Sequence, residues 1–159
     1  MACVSWCEFG GILPEKNDPD SKLIQWEITL ATFSNWFRNE ILGMLSGEDP
    51  TFQVDGQYYI ACCSTASTSA SPGTELSGDN YSRAPVTFER VSDIQRWNPS
   101  AVVTQTASAE WTPILSFTLW DAASGGNYYA FGNLATALTV ESGKAVQWPA
   151  NQVIVGMGS

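Results

Sequence analysis

The sequence predicts a mainly β protein: an antiparallel, jelly-roll-like β-sandwich with one N-terminal amphipathic helix and an extended N-terminal arm. Three observations predict it. From Gln57 onward, apolar and polar residues alternate in short runs with a period of two, the signature of half-buried strands. Turn signals separate the runs: Ser124-Gly125-Gly126-Asn127, Ser142-Gly143-Lys144 and Pro149-Ala150-Asn151. Short strands with frequent turns indicate antiparallel sheets. Helical spacing is confined to 32–46. A chain of 159 residues fits one domain with its own core.

Residues 1–28 read as a leading arm, and residues 29–159 as the helix plus the sandwich. The arm mixes large apolar side chains, Trp6, Phe9, Ile12, Leu13, Leu23, Ile24 and Trp26, with a polar break from Pro14 to Ser21. Exposed Trp and Phe need a cover. The arm either folds back on its own domain or docks on a neighbouring subunit. In the second case Trp6, Phe9 and Trp26 form the assembly interface.

The helix is expected over 32–46, with Thr32 as N-cap and Ser46-Gly47 as its end. Phe33, Trp36, Phe37, Ile41, Met44 and Leu45 make its apolar stripe, and Trp36, Phe37, Ile41 and Leu45 are expected to pack on the sheet.

The strand candidates are Gln57–Ser64, Tyr81–Glu89, Ala101–Ala107, Trp111–Trp120, Tyr128–Phe131, Ala137–Val140, Ala145–Trp148 and Gln152–Val155. Pro85 marks an edge strand or a bulge, because proline cannot donate to a ladder. Trp111 and Trp120 lie nine apart, so they face opposite ways unless a bulge intervenes. Ser64–Asn80 contains almost nothing that can pack and reads as a long loop between strands, either carrying contacts or serving as a mobile tether. Asp121 opens the turn after a strand. It is expected to accept backbone N–H bonds there, with Gly125 and Gly126 supplying positive φ to a tight hairpin.

Composition excludes several functions. The net charge is −9 and only seven residues are Lys or Arg. Nucleic acid and anionic membranes need clustered cations, so neither is an expected partner. The chain has no His, which removes Ser-His-Asp and Cys-His catalysis and His-ligated metal sites. The carboxylates are scattered, and no phosphate-binding glycine loop or calcium loop is present. No catalytic, metal or cofactor site is expected. No apolar run is long enough to span a bilayer, and the start lacks the basic and apolar regions of a signal peptide.

Cys3 and Cys7 are spaced i,i+4, while Cys62 and Cys63 are adjacent and point to opposite faces of a strand. That geometry disfavours one zinc site and favours buried free thiols. A disulfide between the arm and the 62/63 strand stays open. From Trp97 to Ser159 only Glu110, Asp121, Glu141 and Lys144 are charged. Such a surface is expected to be covered in part, by the helix or by another subunit.

Several stretches resemble a family of small bacteriophage structural proteins labelled tail fibre proteins. Glu75-Leu76-Ser77-Gly78-Asp79-Asn80-Tyr81-Ser82-Arg83-Ala84-Pro85-Val86-Thr87-Phe88 is similar to one of its segments. Trp111-Thr112-Pro113-Ile114-Leu115-Ser116-Phe117-Thr118-Leu119-Trp120-Asp121-Ala122-Ala123-Ser124-Gly125-Gly126-Asn127 is the most specific stretch. Leu134–Trp148 follows the family's tail, and the resemblance covers about residues 30–158. Pro113 replaces a small residue of the family pattern, and Trp120 replaces Phe.

The resemblance implies a β-sandwich component of the virion without enzymatic activity, placed in the tail fibre or baseplate. Its expected partners are other virion structural proteins and copies of itself. Two alternatives accompany it: a capsid decoration or head-fibre protein, and a carbohydrate-binding module that reads host surface glycans. Seven Trp and five Tyr invite the last, because sugars stack on aromatic rings, although most such rings fill cores or interfaces.

Overall fold

The computed structural model describes residues 29–52, 57–90, 96–99, 101, 103–148 and 153–156. The arm residues Trp6, Phe9 and Trp26, and the thiols Cys3 and Cys7, lie outside them.

In chain order the elements are β1 (Thr29–Phe33), α1 (Asn35–Ser46), β2 (Tyr58–Cys63), β3 (Ala84–Val86), β4 (Phe88–Arg90) and β5 (Arg96–Pro99). There follow β6 (Val103–Thr106), β7 (Trp111–Trp120), β8 (Tyr128–Val140), β9 (Ala145–Trp148) and β10 (Val153–Gly156). Eight strands hydrogen-bond in the order β3-β2-β7-β8-β1-β10-β5-β4, and β6-β9 forms a separate ribbon. The described pairs are antiparallel except β1 with β10, which run parallel. β1 links the two halves of the large sheet: Thr29–Ala31 pair with β10, whereas Thr32 and Phe33 pair with β8.

The ribbon makes the second layer. Val103 and Gln105 alternate with exposed Thr104 and Thr106, and Val146 and Trp148 are buried likewise. Their inner side chains meet the β2-β7 face, where the Phe117 and Trp148 rings lie 5.2 Å apart. Gln105 fixes the layers polarly. Its Oε1 accepts from Trp148 Nε1 at 3.0 Å and from Cys62 Sγ at 3.3 Å, and its Nε2 donates to the Ser82 carbonyl at 2.8 Å. A buried amide needs such partners, since leaving one unpaired costs ~1–3 kcal/mol.

The helix starts later than its sequence pattern suggests. Thr32 is a strand residue, and Ser34 is the N-cap. Ser34 Oγ accepts from Phe37 N at 3.2 Å and donates to the Tyr128 carbonyl, while Ser34 N donates to the Tyr129 carbonyl at 2.8 Å. The cap thus also anchors the helix on β8, which Thr32 cannot do from within β1. Gly47 closes the helix at φ +89°.

Helix packing is confined to its start. Trp36 and Phe37 surround Tyr129, with ring centroids 5.3 and 4.9 Å away. Phe52 and Tyr58 complete the cluster at 6.3 and 5.5 Å. The expected packing of Leu45 is wrong: Leu42, Met44 and Leu45 are 61%, 48% and 81% exposed. Ile41 is half-buried.

β8 runs unbroken where two strands were expected. Between Ile114↔Leu138 and Ser116↔Asn133 its ladder with β7 slips, so a bulge rather than a turn separates the two apolar runs. Pro85 is exposed on β3, the terminal strand of the sheet, where a missing donor is tolerated.

Candidate functional site

The Ser/Thr-rich stretch after β2 is built into the fold. Ser67 and Leu76 are buried, and Glu75 makes a β-bridge with Cys63. The face it covers carries Ser116 and Thr118, both with no exposed surface, and Cys63. This face is polar, so hydroxyls and backbone groups satisfy it where apolar side chains could not. Gly73 N donates to Ser67 Oγ at 2.9 Å, Ser67 Oγ shares a 2.8 Å bond with Ser116 Oγ, and Ser116 Oγ donates to the Thr65 carbonyl at 2.8 Å. Since Ser116 spends its proton on Thr65, Ser67 is the donor between the two hydroxyls. Asn133 grips Ser67 twice, accepting from its N–H at 2.8 Å and donating to its carbonyl at 3.0 Å. Tyr128 Oη donates to the Thr68 carbonyl at 2.9 Å, and Asn35 N donates to the Ser69 carbonyl at 2.7 Å. Part of the ion-poor β surface is therefore covered by this loop.

A second knot centres on Arg83. Its Nε and Nη2 donate to the two oxygens of Glu75 at 2.9 and 2.8 Å. Nη1 donates to the carbonyls of Ala122 and Gly125 at 2.9 and 2.7 Å. The guanidinium carbon stands 4.0 Å from the Trp120 ring centroid. The planar fork of arginine suits this combination of bidentate pairing and stacking. Arg83 thereby ties the loop to the β7-β8 turn.

That turn holds the residues singled out in the sequence. Asp121 Oδ1 accepts from Asn127 N at 2.7 Å, and Oδ2 accepts from Asn127 Nδ2 at 2.8 Å. Gly125 and Gly126 have φ of +63° and +79°. A Cβ on Gly126 would lie 2.3 Å from Asp121 Oδ1, so the carboxylate's approach also requires glycine.

Trp111 is buried and Trp120 half-buried, with ladder shifts between them at three points. The strand between them is not regular, so their nine-residue spacing does not fix their faces. Cys62 and Cys63 are free thiols on opposite faces, one against Gln105 and the other 3.6 Å from Thr118 Oγ1. Burial, with smaller contributions from neighbouring Cys63 and Glu75, pushes the Cys62 thiol far up. Burial also raises Cys63, opposed by hydroxyl hydrogen bonds. Both thus stay protonated near neutrality, the unreactive form.

Among the described residues, no group of three or more His, Cys, Asp or Glu stands close enough to hold a metal ion. A cleft of about 300 Å³ opens between β3 and β6, lined by Ala84 to Thr87, Ala101, Val103 and Thr104. Its lining carries no ionisable side chain. No described helix is long and apolar enough to cross a membrane.

The family model described as podophage GP4 fiber I protein gp80 matches residues 32–156. The chain belongs to this family. The gp80 fibre match takes in the helix and the strands after it, together with the loop, the Arg83 knot and the Asp121 turn. It leaves residues 1–31 outside. A search among curated proteins finds no match.

Sequence reasoning missed Ser67, Ser116, Glu75 and Arg83. The usable signal was Arg83 itself, one of seven cations, placed in an alternating run eight residues after a carboxylate.

Proposed function

We propose that this chain is a non-enzymatic structural protein of a bacteriophage virion, placed in the tail fibre or baseplate apparatus. It assembles through its N-terminal arm and its low-charge β surface, with copies of itself and other virion proteins as partners. The gp80 fibre match over residues 32–156 carries this reading. The polar chemistry of the fold supports it: Arg83 and Glu75 pair with each other, and Asp121 holds its own turn. The apolar content of residues 1–28, with Trp6, Phe9 and Trp26, supports the arm as the joining element.

The glycan-binding alternative needs a flat, open ring. Tyr59 and Trp120 are half-buried cross-strand neighbours, but Arg83 occupies a face of the Trp120 ring. This weighs against the alternative. Capsid decoration differs only in position, and gold labelling of the chain on intact particles separates it from the tail.

The deciding experiment supplies full-length or 1–25-deleted chain to phage lacking the gene. The truncated chain is expected to fold and to be absent from purified particles. Truncated chain found in particles at full occupancy, or unfolded when purified, defeats the proposal.

A further inference from the structure

We infer that copies joined by their arms pack their α1 helices antiparallel, Leu42 of each copy against Leu45 of the other. The inference rests on the reading that the arm joins copies, and it adds a contact that the joined copies make.

The outward face of α1 comes first. At 100° per residue, Arg38, Leu42 and Leu45 fall within about 60° of one another around the helix. Trp36 and Phe37, whose rings meet Tyr129, bracket a direction about 150° away from that group. The face turned from the sheet therefore carries two leucines, 61% and 81% exposed, beside an exposed arginine. The outer stripe of a solvated helix is polar, so adjacent leucines there call for a cover.

Charge selects the cover. A helix carries partial positive charge at its start and partial negative charge at its carbonyl end. In α1 the formal charges have the wrong sign at both ends. The first turn has no acidic residue and ends on Arg38. The last turn has no basic residue, and exposed Glu48 and Asp49 follow it. Among the described residues, none of these three has an ion-pair partner. A cover that corrects both ends brings anions and a carbonyl end to Arg38. It also brings a cation and a helix start to Glu48 and Asp49. The same helix laid antiparallel has that pattern in that order. With Leu42 opposite Leu45, the twofold axis passes between Gly43 and Met44. Arg38 stands about 8 Å along the helix from that point, and the second copy's Glu48 and Asp49 fall at a similar height. A parallel second helix would set like charges side by side.

Size makes this contact depend on the arm. Two leucines per copy bury far less than the roughly 1,000 Å² of a stable interface, so the helices pair only in copies already held together.

The test places a photo-crosslinking benzoylphenylalanine at position 45 of the full-length chain, mixes ¹⁵N-labelled and unlabelled copies, and maps the products by mass spectrometry. The expected product joins position 45 to residues 38–46 of an oppositely labelled copy. Crosslinks within one copy, or to any other segment, overturn the pairing. Charge reversal gives a second reading. Arg38→Glu suits the helix start, so the melting temperature of dilute chain should hold or rise, while self-association of the full-length chain weakens about tenfold. Glu48→Lys combined with Asp49→Lys should do the same. All three changes in one chain should restore association, because each copy then meets the reversed pattern of the other. Unchanged association in Arg38→Glu, or no restoration in the triple variant, contradicts the inference. The 1–25 deletion separates the two claims. If the full-length chain associates but position 45 never meets α1 of another copy, only the helix pairing is wrong. If the deleted chain forms the same crosslink in the same yield, the pairing stands and the arm-assembly reading falls.

Discussion

Ser67 and Ser116, 49 residues apart, share a buried hydroxyl–hydroxyl hydrogen bond of 2.8 Å. This contact converts a serine-rich loop into a layer of the fold. Ser116→Ala removes the donor to the Thr65 carbonyl and the acceptor for Ser67 at once. The expected loss is about 2 kcal/mol, from one buried hydroxyl and one part-buried carbonyl left unpaired. Ser67→Ala should cost a similar amount, and the double variant less than the sum, because both act in one chain of bonds. Urea denaturation of the three variants measures this. Additive losses, or none, would show that the loop does not hold the face.

Arg83→Lys keeps the charge but loses the fork that spans Glu75 and two turn carbonyls. The expected destabilisation is on the order of 3 kcal/mol, since one ammonium cannot reach both Glu75 oxygens and both turn carbonyls and each lost charged hydrogen bond costs about 1.5–3 kcal/mol. Trp120→Leu should cost less, since Arg83 keeps its four hydrogen bonds and only the Trp120 Nε1 bond to Thr118 Oγ1 is lost. Thermal melts of both variants rank them, and the reverse order would contradict the role given to Arg83.

The two glycines Gly126 and Gly143 separate backbone strain from crowding. Both have positive φ, +79° and +75°, but only Gly126 has atoms near an added Cβ. Gly143→Ala should cost about 1 kcal/mol, the left-handed penalty alone. Gly126→Ala should cost clearly more, because Asp121 must move. Equal losses in chemical denaturation would mean that the Asp121 contact is not held.

Burial raises the Cys62, Cys63, Tyr81 and Tyr128 protons above their ordinary values. The unfolded chain releases thiol protons near 9.0 and phenol protons near 10.0, while the folded chain keeps them. Stability is therefore full below about pH 9 and falls as pH rises above it. Denaturation midpoints between pH 7 and 10.5 test the sign. Cys62 and Cys63 should also resist alkylation at pH 8 until the protein is unfolded.

Legibility followed apolar pattern. Ala145–Trp148 was readable to the residue because burial on one face sets its period, and Trp111–Trp120 because turn residues from Asp121 onward end its apolar run. Pro85 announced an edge through its missing donor. β1 was hidden because its residues adjoin the helix and merge with its apolar stripe. β5 (Arg96–Pro99) was missed because Arg, Asn and Pro give it no strand signature. The loop was misread for a different reason: its packing is by hydroxyl and carbonyl, which composition counts as polar. Leu45 was misplaced because helical spacing identifies an apolar face but not what covers it.

The central claim is that residues 1–25 join a β domain that folds without them. Native mass measurement of the full-length and 1–25-deleted chains tests it most directly. The account predicts a defined oligomer for the first and a monomer with unchanged β-type circular dichroism for the second. A monomeric full-length chain, or the same oligomer from both, would contradict it.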